Sequence, residues 1–342
     1  MSINTHQPHH KIQHKLHNNA NRIIELKFIY QEIATRMLER MDYIKINPQC
    51  ILDIGSGLNI DHQLLQKRFP SSQIYSLDFT LQMLKQYTQN NSIANKAKLN
   101  EKLSFTQNLQ KIFRSSPFSR NSSQQNNKPS NSTAICADAL SLPIQSQSID
   151  LVWSNLTIPY INTLENLEVY FKEVRRVLKI GGMFLITGLG VDSFQQLRDL
   201  KLNTHNFPDM HVIGDILVKC GFSNPVTDTE HLDIEYDTLQ EMLYDIRLVG
   251  CGSAFATNQQ KNIPESELTS KLNKTKYQQI LANNPRYNNA NSSNSNIIGL
   301  NQNNKLPLTL EIFYAHGFKD KIQLDLEDNQ KIIQFNPHIR KK

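Results

Sequence analysis

The residues best suited to chemistry gather in one short stretch, Asp53-Ile54-Gly55-Ser56-Gly57, and in one later acid, Asp78. The stretch closes an apolar run, and the two glycines lack the Cβ atoms that would keep a ligand off the backbone. Asp78, about 20 residues on, ends the next apolar run, where a carboxylate accepts hydrogen bonds from a ribose diol; Phe79 follows it and belongs to the same candidate site. A dinucleotide fingerprint asks for a third glycine three residues after the second, and Ile60 stands there. Asp53 repels a pyrophosphate but holds a cationic amine. A ligand with adenosine at one end and an amino acid at the other fits these residues, and S-adenosylmethionine (SAM) is that ligand. The alternative is a structural strand–turn–helix without a ligand.

Two further groups join the candidate site. Asp138-Ala139 closes the short apolar run Thr133 to Asp138, where an acid can accept the adenine amino group. Asn155 follows the run Ser148 to Ser154. Ligands of open α/β sheets sit beyond the carboxyl ends of the strands, so these runs deliver their last residues to one cleft. Trp153 and Tyr160 are cleft or core aromatics on this reading. His211 and His231 show no metal-ligand spacing, and no metal is expected.

The elements that position these residues alternate. Strands are expected at 51–54, 73–77, 133–138, 148–154 and 183–188, with a helix over Leu164 to Leu178 that Gly181-Gly182 should end. This alternation implies a doubly wound, mostly parallel sheet covered on both faces. Later come helices at 194–202, 211–220 (closed by Gly221) and 239–249, a strand at 226–236, and a closing strand at 308–316. Before the first strand, Ile24, Leu26, Ile29, Ile33, Met37 and Met41 recur at helical spacing, as one or two helices beside the sheet.

The chain has 342 residues, 39% of them hydrophobic. The apolar deficit is local. Residues 1–21 form a polar, His-rich tail expected to be disordered, and Asn/Ser/Gln-rich insertions lie near 115–132 and 283–305 of a single domain spanning 22–342. The net charge of +6 is too mild to indicate nucleic acid. Four scattered cysteines, with no C-x-x-C pair, indicate neither a zinc site nor a disulfide framework. No apolar run is long enough to span a bilayer and no signal peptide is visible, so a cytoplasmic setting is expected.

The order of these motifs resembles the class I SAM-dependent methyltransferases. Leu52 to Gly57 is similar to their first motif, Asp78 to their ribose acid, Asp138-Ala139 to their adenine contact, and Asp150 to Leu156 to their fourth motif. Leu178-Lys179-Ile180-Gly181-Gly182 is similar to their helix-to-strand turn, with Ile180 where proline is usual, and Asn59 stands where their loop often has its last glycine. A narrower resemblance, to the malonyl-acyl-carrier-protein O-methyltransferases of biotin synthesis, runs through Trp153 to Leu156, Val191 to Arg198, Met210 to Leu217, Leu243 to Gly250 and Leu306 to Phe313. Their early Tyr-Asp pair is replaced here by Asn21 to Leu26. The later segments also resemble the complex I assembly factor that hydroxylates an arginine. A methyltransferase for another small metabolite is a further alternative.

The biotin-pathway resemblance implies a seven-stranded class I sheet with a helical substrate cap. It also implies methyl transfer onto the free carboxylate of malonyl-acyl carrier protein, an acidic partner. That acceptor is already ionised at neutral pH, so no general base is nominated. The malonyl charge calls for an arginine making paired hydrogen bonds, and Arg198 and Arg247 are the candidates. For each, a surface ion pair is the competing reading.

Overall fold

The computed structural model describes residues 24–85, 132–161, 163–199, 207–246, 277–279 and 305–320. The His-rich tail and nearly all of both polar insertions lie outside the described residues. Ser132, assigned from the sequence to an insertion, instead opens a strand.

The strands are β1 (Cys50–Ile54), β2 (Gln73–Asp78), β3 (Ser132–Cys136), β4 (Ile149–Ser154), β5 (Leu178–Leu189), β6 (Ser223–Tyr236) and β7 (Leu306–Phe318). They form one sheet in the order β3-β2-β1-β4-β5-β7-β6. The contacts from β3 across to β5 are parallel, and β7 runs antiparallel to both β5 and β6. This is the mostly parallel, seven-stranded sheet expected. The order reverses between β1 and β4, and that switch opens a crevice at the carboxyl ends of the strands.

Both faces are buried, as the unbroken apolar runs require. Along β1, β4 and β5, Ile51, Leu151, Trp153, Met183 and Leu185 point into one core. The alternate residues Leu52, Ile54, Val152, Phe184 and Ile186 point into the other. The first core is closed by α1 (Lys27–Arg40), preceded by a 3₁₀ turn at Ile24–Leu26. Its buried residues Ile29, Ile33, Ala34 and Met37 form one stripe at helical spacing. The outer side of α1 is tied to β6 by ion pairs of Arg36 with Glu230 and Arg40 with Asp228, and the Arg40 guanidinium lies 3.5 Å from the centre of the Tyr314 ring. A short helix, α2 (His62–Arg68), follows the glycine turn.

The second core is closed by α3 (Leu164–Val177), capped by Thr163, whose side chain accepts the Asn166 N–H. After β5 come α4 (Gln195–Asp199), α5 (Met210–Lys219) and α6 (Leu239–Ile246). The expected cap of Gly221 on α5 is present. Gly221 has φ +81, and Gly221 N–H and Phe222 N–H donate back to Val218 O and Leu217 O, a Schellman closure. α4 is shorter than the expected helix at 194–202, and residues 200–206 lie outside the described part. So do 247–276, which hold much of the expected substrate cap.

One expectation needs correction. Gly181-Gly182 does not end α3, which stops at Val177. Leu178 already pairs with Ile149, and Met183 pairs with Leu151, so residues 179–182 bulge out opposite Asp150. Lys179 Nζ meets Asp150 there at 2.8 Å. Gly181 takes φ +78 in the bulge, and a Cβ on Gly182 would come within 2.9 Å of Lys179 O. The glycines serve a strand bulge rather than a helix end.

Candidate active site

Beyond the ends of β1 to β4 lies a cavity of about 290 Å³. Asp53, Gly55, Ser56, Gly57, Asp78, Phe79, Asp138, Ala139 and Asn155, the nine residues expected to hold a cofactor, all line it.

The glycine turn is held by backbone bonds. Gly55 and Ser56 N–H both donate to Leu77 O, at 2.7 and 3.0 Å. Gly55 has φ +72, and a Cβ there would fall 2.1 Å from Thr157 Oγ1. Gly57 has φ +51, and an added Cβ would come no nearer than 4.0 Å to Gly55 O, so its missing side chain leaves open space at the cavity wall. Asn59 has φ +57. That conformation explains why glycine often occupies the position, and asparagine is one of the few other residues that tolerates it. Its Oδ1 accepts the Ser76 hydroxyl at 3.0 Å.

The cavity wall is acidic. Asp78 accepts Gly57 N–H at 2.9 Å and Thr80 N–H at 2.7 Å. Asp138 lies two residues past β3, where its Oδ1 accepts Leu140 N–H at 2.9 Å. Asp53 is the penultimate residue of β1 and is buried. A further acid, Asp61, also lines the cavity. No Lys, Arg or His is among the described residues that line it. Burial pushes the Asp61 and Asp78 carboxyls up to about 6, the hydrogen bonds they accept acting in the opposite sense. Burial raises Asp53 well above the usual carboxylate range, and the neighbouring Asp61 and Asp78 charges raise it further. Buried carboxylates without a cation invite one. A ligand bearing an ammonium and a sulfonium suits this wall, whereas a pyrophosphate does not.

Asn155 does more than line the site. Its Nδ2 donates to Tyr30 O and to Asp61 Oδ2, both at 3.0 Å, and its Oδ1 accepts the Thr187 hydroxyl at 3.1 Å. It therefore ties α1, the start of α2 and β5 together at the cavity. Trp153 is fully buried core, and its Nε1 donates to Asp61 Oδ2 at 2.8 Å. Tyr160 lines the cavity, as do Tyr30, Ile60, Thr80, Met83 and Cys136, which sequence reasoning did not assign. Tyr30 lies outside the helical stripe read from the sequence and gave no separate signal. Asp61 had one, an acid shortly after the glycine turn, but nothing local said which way it points.

Arg198 does not line the cavity. Its guanidinium donates to Ser193 O and Val191 O, each at 2.6 Å, and to Gln195 Oε1 at 2.7 Å, bracing the turn before α4. Arg247 lies outside the described residues. Away from the cavity, His231 meets Asp192 and Glu311, with potential ligand atoms within 4.8 Å of one another. Glu311 Oε2 already accepts Asp192 N–H at 2.7 Å.

Comparison with known proteins gives the family. A family model described as a methyltransferase domain matches residues 112–186. The malonyl-[acyl-carrier protein] O-methyltransferase of Methylovorus sp. (strain MP688) is 32% identical over 315 residues, covering 90% of this chain and 88% of the relative. This chain belongs to that family. The family member of Gallionella capsiferriformans (strain ES-2) is 31% identical over 321 residues, covering 91% of each chain. Among solved structures, the YcgJ protein of Bacillus subtilis superposes with a TM-score of 0.51 over 85% of this chain and 99% of its own, at 14% identity, a likeness of fold. As a malonyl-[acyl-carrier protein] O-methyltransferase family member, the chain is a SAM-dependent methyltransferase. The glycine turn and acids of the cavity wall are chemically compatible with that cofactor.

Proposed function

We propose that this protein methylates the free carboxylate of a malonyl thioester carried on acyl carrier protein, as an early step of biotin synthesis. The observation that carries the reading is the similarity to family members along 90% of the chain, well beyond the cofactor motifs. The acceptor carboxylate is ionised at neutral pH, so no proton has to be removed.

When bound, SAM supplies a methyl group on a sulfonium, open to in-line displacement. This chain's residues then have to position and enclose. Asp78 would hold the ribose hydroxyls, and Asp138-Ala139 the adenine edge. Asp53 would hold the amino-acid end, with the Gly55-Ser56-Gly57 backbone against the ligand. Tyr30 and Tyr160 line the same cavity and help exclude water. Positioning of this kind supplies much of the rate of a two-substrate displacement.

The acceptor's own charge needs a cation. Arg198 is committed to its turn, so we assign that contact to Arg247. An acidic carrier is also favoured by the net charge of +6. We place the reaction in the cytoplasm, a setting that suits the free thiols of Cys50, Cys136 and Cys220. No helix among the described residues is long and apolar enough to cross a membrane.

Genetic complementation tests the proposal. The full chain, confirmed soluble, is expressed in a bacterium whose own malonyl-acyl carrier protein methyltransferase has been deleted. Growth without biotin, lost with Asp78→Ala, is expected. Soluble protein that supports no growth, although it binds S-adenosylhomocysteine, would turn the reading toward another acceptor or toward the protein-modifying relatives.

A further inference from the structure

The geometry points to Asp61 as a second carboxylate that, with Asp53, clasps the α-ammonium of the cofactor's amino-acid end. This rests on the reading of the cavity as a SAM site and assigns it a contact beyond the glycine-turn motif.

Asp61 stands immediately before α2, the position where an aspartate ordinarily caps the helix. Its side chain makes no capping bond. The carboxylate turns instead into the cavity wall, where the residue is only 6% exposed. Oδ2 is fixed from two sides, by Trp153 Nε1 at 2.8 Å and Asn155 Nδ2 at 3.0 Å. Neither donor carries a charge, so both orient the group without neutralising it. Oδ1 has no hydrogen-bond partner among the described residues.

Asp53 is a second such carboxylate. It is 2% exposed, lines the same cavity, and accepts no hydrogen bond from any described residue. Asp61 and Asp53 are close enough to perturb each other electrostatically. Two such groups on one wall, with no basic side chain on the described part of it, are a costly arrangement for an empty pocket. A cation with several N–H donors satisfies both at once. An ammonium has three donors and no acceptor, which matches two acceptor-only groups. A sulfonium has none, and so gains only from the field.

The pair lies at the end of the cavity formed by β1 and the start of α2, whereas Asp78 and Asp138 follow β2 and β3. The ammonium assignment therefore leaves the nucleoside contacts where the sequence placed them. Asn155 is a positioning residue in this scheme, since it holds Asp61 through one amide nitrogen rather than reaching the ligand with it.

The test is calorimetric and needs no acceptor. S-adenosylhomocysteine and 5′-methylthioadenosine share the nucleoside and the sulfur, but only the first has the ammonium. Asp61→Asn keeps an oxygen for Trp153 and Asn155 while removing the charge. It should weaken S-adenosylhomocysteine binding about ten- to a hundredfold, the range of a lost charge-assisted hydrogen bond. Binding of 5′-methylthioadenosine should change less than about twofold, which also shows that the variant is folded. A deaminated S-adenosylhomocysteine gives the reciprocal check, since it should bind the wild type and Asp61→Asn alike.

Unchanged S-adenosylhomocysteine affinity in the variant, or equal weakening of both ligands, would overturn the assignment. Failure of the wild type to bind either nucleoside would instead overturn the cofactor site itself. Neither outcome depends on the identity of the methyl acceptor.

Discussion

Acidification should loosen cofactor binding well before it unfolds the protein. The Asp61 and Asp78 carboxyls are raised to about 6 from 3.8, and Asp53 is raised as well. A shift of about two units corresponds to about 3 kcal/mol per group. The sign follows from the direction. A carboxyl raised in the folded state is protonated in both states below 3.8 and carries no penalty there. The penalty grows as pH rises from about 4 to 6 and is constant above that. In the empty protein at pH 7, these acids therefore oppose folding, and a bound cation relieves them.

Binding of a cationic ligand draws on the ionised form. At pH 5, one unit below 6, only about a tenth of Asp61 is ionised, so affinity should fall about tenfold between pH 7 and 5. It falls further if the Asp53 charge is also required. The ligand's α-amino group stays protonated across pH 5 to 7, so that window isolates the protein's groups. Isothermal titration with S-adenosylhomocysteine at half-unit steps reads the effect. Repeating it in buffers of different ionisation enthalpy should reveal proton release at pH 5.5 that vanishes by pH 7.5. A flat affinity from pH 7 to 5, with no proton release, would refute the charged-wall argument.

Other perturbations follow from single contacts. Gly55→Ala sets a Cβ against Thr157 Oγ1 at φ +72, so it should cost about 2–5 kcal/mol from strain and overpacking combined. In a Thr157→Ala background the cost should drop to about 1–2 kcal/mol, a coupling that urea unfolding can measure; additive costs would contradict it. Asn59→Gly should preserve the fold within about 1 kcal/mol, whereas Asn59→Ala keeps φ +57 without the Ser76 bond and should lose about 1–3 kcal/mol. Arg198→Ala removes the hydrogen bonds to Ser193 O, Val191 O and Gln195 Oε1 that brace the turn before α4. It should lower the unfolding midpoint while leaving the KM for the acceptor within about twofold, because the side chain lies off the cavity wall; a large rise in KM with an unchanged midpoint would return Arg198 to the acceptor site.

The lining of the cavity was legible because its expected residues lie at or just past the ends of strands. Asp53, Asp78 and Asp138 each follow an unbroken apolar run, and parallel pairing brings such ends to one edge whatever the intervening loops contain. The resemblance to known methyltransferases added the family and its acceptor. What stayed hidden depends on tertiary contact. No local signal in the sequence placed Asp61 at the site, and its place in the cavity wall depends on the bonds from Trp153 and Asn155, far away in the chain. Tyr30 lies outside the helical stripe read from the sequence, and its place at the cavity comes from how α1 packs on the sheet. The Gly181-Gly182 pair looked like a helix stop because helix ends and strand bulges both require a residue at positive φ. Arg198 came into consideration through its segment's family likeness, and the structure shows its guanidinium bonded to Ser193 O, Val191 O and Gln195 Oε1 of its own turn.

The most direct test of the central claim is the intact mass of malonyl-acyl carrier protein after incubation with the purified chain and SAM. The carrier should gain one methyl group, removable by mild base as an ester, and Asp78→Ala should abolish the gain. Holo-carrier without the malonyl group should stay unmodified. A chain that binds S-adenosylhomocysteine yet leaves malonyl-acyl carrier protein at its starting mass would contradict the account.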